Sequence, residues 1–417
     1  MRNSPFWFVF LGLMVLLDFY VFGVIKGVCQ GAGPRTRTVV FISYWILSGL
    51  AFLILLLLPV INFENLPKGL RNTLFTVVVA LFFAKLVAGV FFLVDDIRRL
   101  FQWGAGKVFF SRTEGEQIQG DRISRSLFLS WLGIAVGGGL FSTLLYGLSN
   151  KYAYRVRRVP LRYPNLPAAF RGLRVVQISD IHSGSFTDKG AVQRGIEKLL
   201  ALKPDLVLFT GDIVNNTADE MDGYIEVFSQ VKAPMGVYSV LGNHDYGDYV
   251  KWPTPAEKEK NLETLKGVHA RLGWRLLMNE HVILDRGGER IALIGIENWG
   301  AKARFPKYGR MSEAYPGTES IPFKILLSHD PSHWDAEVRP KYGDIDLTLS
   351  GHTHGMQFGV EIPGFKWSPV QYVYQQWAGL YEAGNQKLYV NRGFGFLGYP
   401  GRVGILPEIT LLEFQSE

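Results

Sequence analysis

The sequence contains a single cysteine, Cys29, among 417 residues. One thiol excludes an intrachain disulfide and any metal site built from several thiolates. Charged residues are also few, at 19%, whereas 48% of the residues are hydrophobic. This composition excludes a disordered chain, a collagen-like chain and a small disulfide-stapled domain. It favours a protein with more apolar segments than an ordinary soluble chain of this length.

The net charge does not indicate a nucleic-acid partner, although it is +7. Residues 1–150 carry 13 basic and 7 acidic side chains, residues 151–175 carry seven basic and no acidic ones, and residues 176–417 carry 24 basic and 30 acidic ones. The positive charge therefore flanks the apolar part of the chain, and the C-terminal part is acidic. This distribution predicts anionic lipid as the partner and argues against nucleic acid.

Four apolar runs lie in the first 150 residues, at about 5–25, 39–61, 73–94 and 127–148. Each is long enough to cross a membrane, which takes roughly 20 residues. A chain inside lipid must satisfy its backbone within a helix. The alternative is that each run is a buried helix in the core of a soluble domain, and this would have to be true of all four runs. We therefore expect residues 1–150 to form a transmembrane module of four helices in a lipid bilayer.

Two ionisable residues, Asp18 and Lys85, lie inside these apolar runs. Charges in a membrane are costly, and they often mark a path for ions or protons. The simpler interpretation is a structural pair between the two residues, or side chains that reach back to the interface. We favour the structural interpretation because two residues do not make a relay.

The basic residues of the loops nearly balance across the membrane. An even number of helices puts both termini on one side, and the two sides carry eight and nine basic residues. Only the dense group between Lys151 and Arg158 favours a cytoplasmic C-terminal part. We accordingly expect a multi-pass protein of the plasma (inner) membrane whose C-terminal domain faces the cytoplasm.

The pattern changes after a basic, proline-marked connector at residues 151–170. Residues 171–417 show short β-rich runs that alternate with helical patterns. Polar segments follow several of the predicted strands directly, and the carboxyl ends of strands are where α/β sheets place their chemistry. These segments are Asp180-Ile181-His182, Gly211-Asp212, Gly242-Asn243-His244-Asp245, Ser328-His329-Asp330 and Gly351-His352-Thr353-His354.

Five of the eight histidines of the chain lie in these segments. Together with Asp180, Asp212 and Asn243 they form a set of nitrogen and oxygen ligands, which suits Zn, Mn or Fe. The carboxylate of Asp212 is able to bridge two ions, and paired ions suit phosphoryl chemistry. Each segment alone is a weak signal, but the ordered set at strand ends predicts a dinuclear metal site.

This ordered set of motifs resembles the calcineurin-like metallophosphoesterase family over roughly residues 155–417. The resemblance is closer to its membrane-anchored members, which include UDP-2,3-diacylglucosamine hydrolases of lipid A synthesis. It implies an α/β fold in which residues 171–417 form a four-layer α/β/β/α metallophosphoesterase sandwich. It also implies two divalent or trivalent metal ions (Mn, Fe or Zn).

The resemblance assigns the site residues one by one. It implies that Asp180, His182 and His354 hold the first ion, that Asp212 bridges, and that Asn243, His329 and His352 hold the second ion. His244 is implied to face the substrate as general acid or phosphate donor, which suits imidazole because it exchanges protons near neutral pH. Asp245 either orients the His244 ring or caps a helix. Asp330 either supports a ligand imidazole or lies on the surface.

Aromatic residues are frequent after the last histidine pair. One interpretation is a surface where acyl chains or the bilayer meet the site, because aromatic residues are favoured at membrane interfaces. The other is the core of the sandwich. Met356 stands where many relatives have a second glycine, which puts a larger side chain beside the site. The aromatic residues are Phe358, Phe365, Trp367, Tyr372, Tyr374, Trp377, Tyr381, Phe394, Phe396 and Tyr399.

The sequence thus predicts a membrane-bound, two-metal phosphoesterase that hydrolyses a phosphodiester or pyrophosphate bond. A lipid-linked phosphoester, such as UDP-2,3-diacylglucosamine, is the predicted substrate. Three alternatives stay open: a membrane sensor or scaffold with an inactive phosphoesterase fold, a phosphatase acting on another phosphoester, and a transporter for which Asp18 and Lys85 are the only support. The oligomeric state is left open.

Overall fold

The computed structural model describes residues 5–58, 66–109, 125–302 and 305–415. The chain divides into two compact units, residues 1–146 and residues 147–417. We call them the helical unit and the sandwich unit. The last turn of the fourth long helix belongs to the sandwich unit by its contacts.

The described part of the helical unit consists mainly of long apolar helices. In chain order they are α1 (Pro5–Val28), α2 (Pro34–Leu57), α3 (Lys68–Phe109) and α4 (Leu127–Asn150). All four have the length and mean hydropathy of a membrane span. Pro34 begins α2, where a missing N–H costs nothing because the first N–H groups of a helix have no partner within it.

All four helices are predicted in the right place, but the bounds of two of them differ by more than three residues from the apolar runs. α2 begins at Pro34, and the end of its run, from residue 59, lies outside the described residues. α3 continues to Phe109, well past residue 94. The extension carries Asp95, which accepts a hydrogen bond from the backbone N–H of Ser126 at 3.0 Å. It also carries Asp96, which accepts one from Tyr20 at 2.7 Å. These partners stabilise charged residues beyond the apolar run.

Asp18 and Lys85 meet inside the helical unit. The Lys85 ammonium forms an ion pair with the Asp18 carboxylate, and both side chains are buried. Lys85 also donates to Ser48 Oγ at 2.7 Å, and Tyr44 OH donates to the backbone carbonyl of Asp18 at 2.8 Å. The pair therefore joins α1, α2 and α3, which supports the structural interpretation of both residues.

The described part of the sandwich unit contains short helices and fourteen strands. The helices are α5 (Lys189–Leu200), α6 (Ile225–Phe228), α7 (Pro255–Leu272), α8 (Met311–Ala314) and α9 (Arg339–Lys341). The strands are β1 (Arg155–Arg162), β2 (Arg174–Ile178), β3 (Leu206–Phe209), β4 (Val237–Ser239), β5 (Arg275–Leu276), β6 (Glu280–Arg286), β7 (Glu289–Gly295), β8 (Lys324–Leu327), β9 (Leu347–Ser350), β10 (Val360–Ile362), β11 (Phe365–Trp367), β12 (Gly379–Ala383), β13 (Gln386–Val390) and β14 (Glu408–Gln415).

Two six-stranded sheets form the middle of the sandwich unit. Sheet 1 has the order β1-β14-β2-β3-β4-β5, sheet 2 has the order β12-β13-β9-β8-β7-β6, and β10 and β11 form a separate hairpin. Apolar side chains such as Leu206, Leu293 and Leu327 fill the space between the sheets. α5, α6 and α7 cover the outer face of sheet 1, and α8 and the turn Trp334–Val338 cover that of sheet 2. These four layers confirm the predicted α/β/β/α fold.

Parallel pairing places the predicted polar segments at common edges. β2, β3 and β4 run parallel in sheet 1, and β7, β8, β9 and β13 run parallel in sheet 2. All four residues of β3, of β8 and of β9 are buried, as is usual for a strand covered on both faces. Because these strands end at the same edge, the loops that follow them come together.

Lys85→Met should destabilise the helical unit, because Asp18 would remain as a buried charge without its cation. Breaking such a pair from one side costs about 3–5 kcal/mol. We expect a lower unfolding temperature in detergent, measured on the full chain. The double variant Asp18→Asn/Lys85→Met removes both charges and should recover most of the loss. A double variant as unstable as the single one would contradict this pairing.

Candidate metal centre

The fold brings all the predicted ligands together in two neighbouring groups. Within each group, one candidate ligand atom of every residue lies within 4.8 Å of the others. Asn243 joins the second group, since its Oδ1 lies 2.8 Å from His352 Nδ1 and 3.2 Å from His329 Nε2. The first group is Asp180, His182 and His354, and the second is Asp212, His329 and His352.

The spacing within each group matches that of atoms bound to a common ion. Ligand bonds of about 2.1 Å place neighbouring ligand atoms about 3.0–3.4 Å apart. In the first group, His354 Nε2 lies 3.0 Å from His182 Nε2 and 3.4 Å from Asp180 Oδ1. In the second group, His329 Nε2 lies 3.3 Å from His352 Nδ1. Each group therefore has the donor spacing for one metal ion.

Asp212 lies between the two groups. Its Oδ2 is 3.1 Å from His329 Nε2 and 3.6 Å from His182 Nε2. Its Oδ1 accepts a hydrogen bond from the backbone N–H of His244 at 2.8 Å, which fixes the carboxylate. One carboxylate oxygen thus faces nitrogens of both groups, which is the arrangement that a bridging ligand requires.

Five candidate ligands have a left-handed backbone. Non-glycine residues adopt it rarely, at a cost of about 1–3 kcal/mol each, and they do so mostly at functional sites. The conformation turns these side chains into a shared space directly after the strands. Gly351 is required there, because a Cβ on it would collide with the Asp180 carboxylate. The φ angles are 51° at Asp180, 48° at His182, 61° at Asp212, 71° at His352 and 50° at His354.

Burial keeps three of the imidazoles neutral. It lowers the pKa of His182 to about 3, lowers that of His354 well below its usual range, and lowers that of His352 as well. A neutral ring offers the lone pair that a metal ion needs. These three rings are therefore in their ligating form.

The pKa values of two other groups, Asp180 and His329, are shifted away from the forms in which these groups bind metal, and a bound cation would reverse both shifts. Burial raises the pKa of Asp180 to about 7. Burial lowers the pKa of His329, but the Asp212 carboxylate outweighs it and raises this pKa to about 10. A bound cation would favour an ionised Asp180 and a neutral His329, because it supplies the positive charge itself. The donor set is thus suited to two cations.

His244 lies beside the first group. Its ring centroid is 5.0 Å from that of His182 and 4.4 Å from that of Tyr249. His244 Nδ1 lies 2.7 Å from the carbonyl oxygen of Asn215. A carbonyl only accepts, so Nδ1 carries the proton in this contact. That leaves Nε2 as the ring nitrogen that the Asn215 carbonyl does not engage.

The structure decides what Asp245 and Asp330 do. The Asp245 carboxylate accepts hydrogen bonds from the backbone N–H groups of Gly242 and Asp212 at 2.8 and 2.9 Å. It therefore joins the loops after β3 and β4, and both interpretations of Asp245 are wrong. Asp330 is buried rather than on the surface. It accepts a hydrogen bond at 3.3 Å from Tyr374, whose OH lies 2.9 Å from Nε2 of the candidate ligand His352.

Three further residues around the site were not identified as site residues from the sequence. Tyr374 OH lies 2.9 Å from His352 Nε2, and Asn243 Nδ2 donates to Tyr249 OH at 2.7 Å. Arg402 is fully buried with Nη2 3.3 Å from His354 Nδ1. Tyr249 follows a motif closely enough to have been considered, whereas Tyr374 and Arg402 lie in loops without any motif.

The aromatic segment divides between core and surface. Tyr374, Trp377, Phe394 and Phe396 are buried, so the core interpretation holds for them. Phe365 and Tyr372 are exposed, at 54% and 77%. The surface interpretation is thus restricted to a few residues.

Two sequence profiles of known families match the chain. One is described as "Probable Calcineurin-like phosphoesterase, transmembrane domain" and matches residues 1–151. The other is described as "Calcineurin-like phosphoesterase" and matches residues 173–356. The two matches fall on the apolar helices and on the part of the chain that carries all the candidate ligands.

Individual relatives match about three fifths of the chain. A zebrafish (Danio rerio) "Transmembrane protein with metallophosphoesterase domain" is 32% identical over 64% of this chain, but the match spans only 59% of that relative. The "Uncharacterized metallophosphoesterase YkuE" of Bacillus subtilis is 30% identical over 60% of this chain and 82% of its own length. The "UDP-2,3-diacylglucosamine pyrophosphatase LpxG" of Chlamydia muridarum is 28% identical, over 58% of this chain and 83% of its own length.

The full chain should bind two metal ions, and His354→Ala should reduce the number to about one, because the first group loses a ligand. The measurement is elemental analysis of detergent-solubilised protein after chelation and reloading. His281→Ala is the matched control, since His281 lies on β6 with its Nδ1 2.9 Å from the carbonyl oxygen of Ala314. Retention of both ions by His354→Ala would disprove the assignment of the first group.

Proposed function

The chain belongs to the calcineurin-like phosphoesterase family, and on that premise we propose that it is an integral-membrane hydrolase that cleaves a phosphodiester or pyrophosphate bond. The observation that carries the proposal is the position of Asp212 Oδ2, which faces His182 of one group and His329 of the other. Phosphoryl hydrolysis uses such a pair of adjacent cation sites.

We assign two roles to the residues of the site, namely the binding of cations and the transfer of protons. The first ion is assigned to Asp180, His182 and His354, the second to Asn243, His329 and His352, and Asp212 is assigned to both. When bound, the two ions neutralise charge on the phosphoryl group and promote deprotonation of water. Nitrogen and oxygen donors of this kind suit Mn, Fe or Zn.

His244 is the residue that we assign to proton transfer. The Asn215 carbonyl fixes the proton on Nδ1, so Nε2 is presented for exchange with the leaving oxygen. The ring is held on its other side by Tyr249. A general acid needs this kind of fixed orientation within reach of the bond that breaks.

We propose a lipid-linked phosphoester as the substrate. Helices long enough to span a membrane are part of the same chain, so the hydrolase stays at a bilayer. The relative from Chlamydia muridarum is named for a pyrophosphatase reaction on UDP-2,3-diacylglucosamine, which is a lipid-linked substrate of this class. An inactive scaffold would usually have lost at least one ligand, whereas all seven predicted donors converge, which favours the hydrolase.

We also propose a membrane location and an orientation for the chain. Four candidate spans make the protein multi-pass. The basic group between Lys151 and Arg158 favours a cytoplasmic sandwich unit and a plasma (inner) membrane. Accessibility of a protease site inserted after Lys203 in sealed, inside-out vesicles would test this orientation.

A substrate panel on the solubilised full chain tests the proposed function. It should compare UDP-2,3-diacylglucosamine with phospholipids, cyclic nucleotides, a phosphoprotein and a bis-aryl phosphate. We expect hydrolysis of the bis-aryl phosphate and a preference for a lipid-linked substrate. No hydrolysis of any of them by metal-loaded protein would contradict a hydrolase, and a preference for the phosphoprotein would support the phosphatase alternative.

His244→Gln should lower kcat by about 10²–10⁴-fold, the usual contribution of a positioned acid or base. The metal content should stay at the wild-type level, because His244 is assigned to neither ion. The measurement combines steady-state kinetics on the bis-aryl phosphate with elemental analysis, and His281→Ala again serves as control. An unchanged kcat would remove His244 from the mechanism.

A further inference from the structure

Exposed apolar side chains of the sandwich unit are concentrated in one stretch. Among its described residues, nine large apolar side chains are exposed, and six of them lie between residues 356 and 373. We call these six the hairpin surface, because three of them lie on β10 and β11 and the others lie within six residues of these strands. They are Met356, Val360, Ile362, Phe365, Tyr372 and Val373.

The β10–β11 hairpin has one apolar and one ionic face. Ile362 pairs with Phe365 and Val360 with Trp367, and directly paired side chains share a face. Glu361 and Lys366 form the opposite pair. The ionic face attaches the hairpin to the sandwich, since Glu361 forms ion pairs with Arg157 at 2.6 Å and with Arg392 at 2.7 Å. This attachment turns the apolar face outward.

Met356 adds to the exposed area at a conformational cost. Its φ is +54°, where a glycine would be unstrained and where a residue with a Cβ loses about 1–2 kcal/mol. Met356 is 57% exposed, so its packing contacts are too few to offset this conformational cost. It lies two residues after the ligand His354, and Ser368 Oγ donates to the carbonyl of Gly355 at 2.9 Å. The hairpin surface therefore continues up to the metal centre.

Hydrogen bonds connect this region to the last turn of α4, within the sandwich unit. The backbone N–H of Arg402 donates to the carbonyl of Gly147 at 2.9 Å. Val403 donates to the carbonyl of Gln357 at 2.8 Å, and it accepts from Gly359 at 2.9 Å. The segment that leads into β10 is thus attached, within the sandwich unit, to the last turn of α4.

The charge next to the hairpin also favours a lipid partner. Residues 151–175 contain seven basic and no acidic side chains. Arg155 and Arg158 of β1 are exposed, and Arg157 between them binds the hairpin through Glu361. Basic residues next to exposed aromatic and aliphatic ones are typical of surfaces that lie in the headgroup region of an anionic bilayer.

We propose that the hairpin surface inserts into the headgroup region of the bilayer in which the chain is embedded. Insertion covers the exposed apolar side chains and opens the metal centre towards lipid, so a lipid-linked substrate enters without crossing water. The inference concerns where the hairpin surface lies. Its test measures how deeply this surface enters the bilayer, and it does not measure hydrolysis. Its failure would therefore leave the proposed enzyme activity untouched.

The test uses the full chain in nanodiscs that contain anionic lipid. Cys29→Ser removes the single native thiol. Ile362→Cys and Tyr372→Cys are then labelled, one at a time, with a water-sensitive fluorophore; both positions are exposed, so the label disturbs no packing. Ile283→Cys is the matched control, because Ile283 is also an exposed isoleucine but lies on β6, at the opposite edge of sheet 2 from β12.

We expect blue-shifted emission at positions 362 and 372, and loss of most of the signal when the lipid chains are brominated near the headgroup. Position 283 should show neither effect. Water-like emission at all three positions would overturn the proposal. A blue shift without quenching by brominated lipid would overturn it as well, because protein, such as a second copy of the chain, would then cover the surface.

Discussion

Two carboxylates and four imidazoles are buried together at the edge of the sandwich, and positive charge between them is the condition on which the site depends. Asp180 and Asp212 are 0% and 1% exposed, far from the water that normally stabilises a carboxylate. Without cations, burial forces Asp180 towards its protonated form, and the Asp212 carboxylate forces His329 towards its charged form. Two metal ions would satisfy the same groups without this rearrangement of protons.

The rest of the sandwich unit maintains this arrangement. Parallel strands bring five loops to a common edge, and left-handed residues turn the donors inward. Asp245 then joins two of the loops through backbone N–H groups, so the position of Asp212 depends on hydrogen bonds as well as on the strand it follows. Tyr374 and Asp330 support His352 from behind, as outer partners of metal ligands commonly do. Strain in the loops is therefore balanced by a network that spans both sheets.

The sequence was sufficient for features that depend on local order and insufficient for those that depend on distant contacts. Motifs at the ends of strands predicted the site, because parallel topology converts strand ends into neighbours. Arg402 could not be predicted, since its place beside His354 results from a loop with no motif. Asp245 was misjudged for a related reason: its partners include the backbone of Asp212, which no side-chain pattern reveals. The length of α3 likewise depended on tertiary partners of Asp95 and Asp96.

The two units depart from the usual distribution of polar and apolar residues in opposite ways. The helical unit buries a charged pair, Asp18 and Lys85, among apolar helices, where lipid offers no solvation and each charge needs the other. The sandwich unit exposes apolar side chains such as Ile362 and Phe365, which water would disfavour. An aqueous environment explains neither feature, whereas a bilayer explains both: it requires charges inside it to be paired, and it removes apolar side chains from water. Both features therefore agree with the proposal that the chain is a hydrolase acting where lipid and water meet.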